Sequence, residues 1–253
     1  MTTHLVIPDS HAHFQAPNDR ADCLANLIVD IRPEVVIHMG DSADLPSLSG
    51  YDKGKRSFIG KTYRQDIEAH LDFQRRMWEP VFNRKKKLPY SVFLIGNHEQ
   101  RIERALDQSP ELVGSIGFQD LELEKYYNTI VPYEGSSPGT IEIDGVTYAH
   151  YFTSGVLGRA VNTEHTAYTL IAKNLSSCTT GHTHTLEYCV RTKASGEKVH
   201  GLSCGCFQDY TNDWAGEIGK LWDRGVIVKR NVKAGNYDLE WISLETLIKE
   251  YSP

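Results

Sequence analysis

Eight residues with metal-binding or proton-moving side chains stand where short β-prone runs end: Asp9, His11, Asp41, Asn97, His98, His150, His182 and His184. Carboxylate, imidazole and amide oxygen together suit borderline divalent ions such as Mn, Fe or Zn. An all-thiolate site is excluded by composition. An all-oxygen Mg or Ca site would not need so many histidines. Seven ligands are too many for one tetrahedral ion and about right for two ions sharing a carboxylate. Two metals roughly 3.5–4 Å apart are a device for in-line displacement at phosphorus.

The elements that must position these residues follow from the apolar runs. Phe93-Leu94-Ile95 reads as a strand that stops at Gly96, and Gln100 to Leu106 reads as a helix. Asn97, His98 and Glu99 therefore sit at a strand's carboxyl end, where open α/β sheets place their sites. Leu5-Val6-Ile7 is a short buried strand leading into Asp9 and His11, which share one side of an extended segment. Asn18 to Ile31 is an amphipathic helix with Leu24, Leu27, Ile28 and Ile31 on one face. Val35 to Met39 is the next strand, ended by Gly40-Asp41, and this strand–helix–strand order predicts parallel pairing.

Further on, Thr140 to Ile143 and Val146 to Ala149 form a hairpin across Asp144-Gly145, with His150 at its end. A helix over Thr163 to Leu175 precedes Gly181-His182-Thr183-His184. Two more hairpins follow, Glu187–Thr192 with Val199–Ser203 and Val226–Val232 with Tyr237–Ile242, and a short helix near Leu244 to Lys249 closes the chain. Mixed strands of this kind predict an α/β fold of two packed sheets with helices outside.

Leu45 to Tyr90 breaks the alternation. It starts as a loop, then reads as a helix over Thr62 to Phe82 that Pro80 ends or kinks, then carries the run Arg84-Lys85-Lys86-Lys87. It holds eleven Lys and Arg against five acids, a net +6 in a chain of −6 overall. The expectation is an excursion over the mouth of the sheet. Its charge, with Tyr51, Phe58 and Tyr63, suggests an anionic partner such as nucleic acid; a solvated helix face balancing an acidic body is the plainer alternative.

Asp9-x-His11, Gly40-Asp41-x-x-Asp44, Gly96-Asn97-His98-Glu99, His150 and Gly181-His182-x-His184 resemble, in order and separation, the five signature motifs of the calcineurin-like metallophosphoesterases. The resemblance spans residues 5–184. It implies a two-sheet mixed β-sandwich flanked by helices in four layers, one domain over residues 1–253, and two divalent metal ions, Mn first, with Fe, Zn or Ni as alternatives. It implies that Asp9, His11 and His184 hold the first ion, that Asn97, His150 and His182 hold the second, and that Asp41 bridges. It puts His98 beside the leaving group, oriented by Asp44. Glu99 matches the fourth position of its motif. Arg101 resembles the phosphate-gripping arginine of serine/threonine phosphoprotein phosphatases, but their Asp-Arg-Gly is absent, since Asp44-Leu45-Pro46 stands there.

The expected chemistry is attack on phosphorus by a hydroxide bridging the metals, with His98 protonating the departing oxygen. The reading is a phosphodiesterase acting on nucleic acid or a nucleotide. The alternatives are a phosphomonoesterase acting on a small molecule or phosphoprotein, and a non-catalytic binding scaffold. His38 reads as a core group; His4, His70 and His200 as surface or structural; His13 and His165 as candidates to line the pocket. At 253 residues, 40% hydrophobic and 24% charged, the composition is that of a globular protein. Five cysteines without a framework predict a reducing compartment, the cytoplasm, and Cys204-Gly205-Cys206 reads as a buried strand pair rather than a metal site. Met1-Thr2-Thr3 leads straight into a strand without a signal peptide, and no apolar run is long enough for a membrane span.

Overall fold

β1 (Thr2–Ile7) is buried on both faces. Leu5 and Ile7 turn into one apolar cluster and Val6 into another, the period-two alternation of a strand with no solvent side. This is a computed structural model, and it describes residues 1–84 and 87–253. After β1 come α1 (Asp19–Ile31), β2 (Val35–His38), α2 (Tyr63–Arg84), β3 (Tyr90–Leu94) and α3 (Arg101–Gln108). Three short 3-10 turns lead to β4 (Thr129–Val131), a small hairpin of β5 (Tyr133–Glu134) and β6 (Ser137–Pro138), then β7 (Ile141–Ile143) and β8 (Val146–Ala149). A second small hairpin, β9 (Thr153–Ser154) with β10 (Arg159–Ala160), precedes α4 (Thr166–Asn174) and β11 (Ser177–Thr180). β12 (Leu186–Thr192), β13 (Lys198–Cys204), β14 (Gly225–Lys233), β15 (Asn236–Ser243) and α5 (Leu244–Tyr251) complete the chain.

Two large sheets result. The first has the order β15-β14-β1-β2-β3-β4, with β1, β2, β3 and β4 parallel and β14 and β15 antiparallel at one side. The second has the order β12-β13-β11-β8-β7, with β13, β11 and β8 parallel. Val6, Ile37, Met39, Val92 and Leu94 of the first sheet pack with Val146, Tyr148, Leu202 and Cys204 of the second in one cluster. The opposite face of the first sheet, through Leu5, Ile7, Val36 and Phe93, packs with Leu24 and Leu27 of α1, Phe73 and Trp78 of α2 and Leu247 of α5. Leu170 of α4 packs with Ala149 and Cys178 of the second sheet. Deleting a ring such as Phe73 or Trp78 from a core like this costs about 3–5 kcal/mol.

The hairpin turn at Asp144-Gly145 has φ of 52° and 83°, the two positive values that a two-residue turn of this hand requires. The excursion differs from its expectation. α2 continues four residues past Pro80, because Trp78 and Val81 on either side are wholly buried and their packing outweighs one lost hydrogen bond. The apolar face of α2 lies on the first sheet rather than over its mouth, while His70 and Gln74 in its amino half meet Ser42 of the loop after β2. Arg84 reaches Asn26, and Arg84 and Lys87 line a surface cleft with Glu34 and Tyr90, at the amino ends of β2 and β3. That is the end of the sheet away from Asp41 and Asn97. Lys85 and Lys86 lie outside the described residues. Arg76 pairs with Asp19 and Asp22, Arg75 with Asp72, Arg64 with Glu68 and Lys61 with Asp52. The pairs with Asp72, Glu68 and Asp52 lie within the excursion and are already counted in its net +6; Arg76, with Asp19 and Asp22 of α1, is the one of these that offsets the excess.

Candidate metal centre

Five parallel strands present their carboxyl ends at one place: β1, β2 and β3 from the first sheet, β8 and β11 from the second. The register pairs Ile7 with His38 and His38 with Phe93, so the segments holding Asp9, Asp41 and Asn97 leave the sheet side by side. Thr180 pairs with Ala149, which sets Gly181 next to His150, and the Gly181 N–H donates to the His150 carbonyl at 3.0 Å. Four of the site residues have left-handed backbone: His11 at φ 42°, Asp41 at 47°, His182 at 68° and His184 at 61°. Non-glycine residues seldom take such angles, and a fold that imposes them four times at one spot is holding side chains in place against a local cost.

Glu99 fixes the loop beneath them. Its carboxylate accepts from the backbone N–H groups of Asp41, Ser42, Ala43 and Gly96 at 2.7–3.1 Å. A side chain at Gly96 would come within 2.2 Å of Asp41 Oδ1, so this close approach requires glycine. Burial, followed by the Asp41 charge, pushes the Glu99 carboxyl up to about 7. Its role is to shape the loop.

The side chains gather in three overlapping groups: Asp9, His11 and His184; His11, Asp41 and His98; Asp41, His150 and His182. His11 Nε2 lies 3.1 Å from His184 Nε2, and Asp9 Oδ2 lies 3.3 Å from the latter. Asp41 Oδ2 lies 3.4 Å from His150 Nε2, 3.8 Å from His98 Nε2 and 4.0 Å from His11 Nε2, so it belongs to the second and third groups and reaches the first through His11. Asn97 Oδ1 is 2.9 Å from His150 Nε2. All seven residues expected to hold metal thus meet at one spot.

The electrostatics favour a cation. Burial alone would raise the Asp41 carboxyl, but His150, His98 and His11 together hold it well below its ordinary value. Burial alone would lower His150, yet Asp41 and Asp9 draw it up to about 10. The carboxylates attract positive charge here, whether as a proton or as an ion. Burial and the neighbouring His150 push His182 down to about 4, and burial lowers His11, so both rings are neutral donors near pH 7. Asp9 Oδ1 is buried and has no hydrogen-bond partner among the described residues. Carboxylate and imidazole lone pairs converging on one another in this way could hold metal ions.

His98 stands beside this cluster. Its Nδ1 lies 2.6 Å from the Asp44 carbonyl and 3.2 Å from the Asp44 carboxylate. Asp44 is also 3.3 Å from His11 Nδ1, and the nearness of these two rings outweighs burial and holds its carboxyl well below the usual range. Arg101 donates to the Asp44 and Leu45 carbonyls at 2.8 and 3.2 Å, and its other terminal nitrogen is 2.9 Å from His98 Nε2. The residue expected to grip phosphate is therefore anchored at the edge of the cluster, against the histidine.

Several supporting residues escaped the sequence reading. Arg20 is buried and donates to the carbonyls of Ser10, Pro17 and Phe207, tying down the loop that carries Asp9 and His11. Tyr210 donates to the His11 carbonyl at 2.8 Å. Trp222 packs against His184 and Tyr151 against His182. Only Tyr151, next to His150 in the chain, carried a sequence signal. His38 is a core group, bonded to Ser10 Oγ and stacked on Phe93. His13 does approach the site, 3.9 Å from Asp44 Oδ2. His165 is exposed before α4 and takes no part. His4, His70 and His200 are buried rather than on the surface, each with a polar partner: Tyr148, the Leu121 carbonyl and Asn236. All five cysteines are free, and Cys204 and Cys206 are wholly buried.

No family model matches the chain. The chain is 29% identical over 225 residues to the Gene 54 protein of Mycobacterium phage L5, covering 86% of this chain and 78% of that protein. Among solved structures it is similar to a conserved uncharacterized protein of Streptococcus pneumoniae TIGR4, described as a predicted phosphoesterase. That likeness has a TM-score of 0.36 at 11% identity and covers 96% of this chain and 90% of that one. Among the described residues, no helix is long and apolar enough to cross a membrane. The functional reading therefore rests on the side chains themselves.

Proposed function

We propose that this protein is a dinuclear-metal phosphoesterase of the calcineurin-like kind that hydrolyses a phosphodiester. The observation that carries the reading is the pair of ligand groups on either side of Asp41. Asp9, His11 and His184 make one set, and Asn97, His150 and His182 the other, with His98 next to the shared carboxylate. The corresponding fold reading is a single domain over residues 1–253, in four layers of helix, sheet, sheet and helix.

Two divalent ions held there supply Lewis acidity toward phosphoryl oxygens and bring the pKa of a bound water toward neutrality. The chain does the rest. Asp41 and Asp9 hold negative charge at the centre. Asp44 orients His98 through Nδ1, which leaves Nε2 to hand a proton to the leaving oxygen. Arg101 sits against that same nitrogen and turns its guanidinium to a non-bridging oxygen once substrate enters.

The test is a substrate panel: p-nitrophenyl phosphate, bis-p-nitrophenyl phosphate, cyclic nucleotides, and single- and double-stranded DNA. The expected result is turnover of diesters that chelator removes and Mn restores. Preference for p-nitrophenyl phosphate would favour the monoesterase alternative. No turnover of any ester with Mn, Fe, Zn or Ni would leave the binding scaffold.

A further inference from the structure

Two partly exposed aromatic rings flank the candidate metal centre, and they belong to opposite ligand groups. Trp222 meets His184 with ring centroids 4.7 Å apart at 77°. Tyr151 meets His182 at 4.9 Å and His150 at 5.7 Å. His184 belongs with Asp9 and His11, whereas His150 and His182 belong with Asp41.

Both rings are planted. The backbone next to Trp222 is fixed by Asp223, whose N–H donates to the His184 carbonyl at 2.9 Å. The Asp223 carboxylate accepts from the Leu186 N–H at 2.7 Å, and its carbonyl accepts from the Cys206 N–H at 2.8 Å. The glycine of Cys204-Gly205-Cys206 makes this possible: its φ is 77°, and a Cβ there would stand 2.4 Å from the Asp223 carbonyl oxygen. Tyr151 follows His150, whose carbonyl accepts from Gly181 N–H and Thr180 Oγ1, each at 3.0 Å, and its ring packs on Tyr133.

We infer that Trp222 and Tyr151 are two aromatic shelves, one at each end of the metal centre, which take the flat groups on the two arms of a phosphodiester, as in a dinucleoside linkage. A phosphomonoester has one organic arm and would use one shelf; a diester between two nucleosides uses both. This assignment rests on the phosphoesterase reading for the centre between the shelves. Base–aromatic stacking tolerates any base, so the shelves select for flatness rather than sequence.

The experiment compares p-nitrophenyl thymidine phosphate with methyl p-nitrophenyl phosphate, which share a leaving group and differ in the retained arm. The wild type should prefer the thymidine ester. Of Trp222→Leu and Tyr151→Leu, the one beneath the retained nucleoside should erase that preference by a roughly 10- to 100-fold rise in KM. The other should raise KM for both esters. Trp222→Phe and Tyr151→Phe should restore most of the loss, with metal content unchanged throughout. Independently of turnover, methylphosphonate-linked dithymidine should quench wild-type tryptophan fluorescence and not that of Trp222→Phe. Equal loss of kcat on both esters with unchanged KM, or loss of metal, would mean that the rings only brace His184 and His182, and would overturn the shelves. Quenching without turnover of any ester would keep the shelves and reject the phosphoesterase; turnover with neither preference nor quenching would do the reverse.

Discussion

Asn97 Oδ1 and His150 Nε2 stand 2.9 Å apart, while the other ring nitrogen of His150 lies 2.8 Å from the Met39 carbonyl oxygen. A carbonyl only accepts, so Nδ1 carries a proton. In the neutral ring, Nε2 then aims a lone pair at the lone pairs of Asn97. Asp41 Oδ2 adds a third acceptor 3.4 Å away. A second proton on the ring, whose pKa is drawn up to about 10, holds these acceptors together without a metal, and a cation would take that proton's place; a backbone carbonyl on the other ring nitrogen is a usual partner of a metal-bound histidine.

His98→Ala should keep both metal ions and lose roughly 10²–10⁴-fold in turnover, the range for removal of a general acid. The deficit should shrink for p-nitrophenyl esters, whose leaving group needs no proton, and stay large for alkyl or nucleoside esters. An equal loss across leaving groups would exclude His98 as the acid.

Glu99→Ala should cost roughly 3–5 kcal/mol of stability, because four buried backbone N–H groups lose their acceptor at once. Glu99→Gln keeps one acceptor oxygen and should cost less. Urea midpoints of the metal-saturated protein check this. An unchanged midpoint for Glu99→Ala would mean that the loop from Gly40 to Ala43 holds its shape without the carboxylate.

The strand ends were legible because apolar runs stop abruptly at residues with chemical side chains, and a strand that stops there can only deliver them to one edge. The pairing of Asp41 with two ligand sets was legible only through the family resemblance. The place of α2 was not legible, since its charge pattern marks a solvated face but says nothing about which side of the sheet the buried face meets. Arg20 was hidden for a similar reason: it sits in an ordinary helical pattern, and its partners Ser10 and Phe207 are brought together by the fold. Trp222 follows a stretch with no periodicity. Lys229 escaped the reading, although parity puts it two residues beyond Ile227 on β14 and so on the face between the sheets.

That lysine gives a pH dependence. Lys229 is wholly buried, over the rings of Tyr148 and Tyr237 at 4.5 Å each and hydrogen-bonded to Thr179. Burial pushes its pKa down to about 7, against an unfolded value near 10.5. The folded state therefore releases the proton first, so stability should rise between pH 7 and 10, at up to about 1.4 kcal/mol per pH unit, and level off at its lower value below pH 7, where the lysine is charged in both states. Lys229→Met should be more stable than wild type at pH 6, with an advantage that shrinks toward pH 10. Parallel stability–pH curves for the two proteins would mean that Lys229 keeps its charge when folded.

The central claim is that two ions share Asp41. Elemental analysis of the purified protein after reconstitution with Mn tests it most directly, on the wild type and on Asp41→Asn in parallel. Two ions per chain in the wild type and the loss of both in Asp41→Asn are the predicted result. One ion or none in the wild type, or two retained by Asp41→Asn, would contradict it.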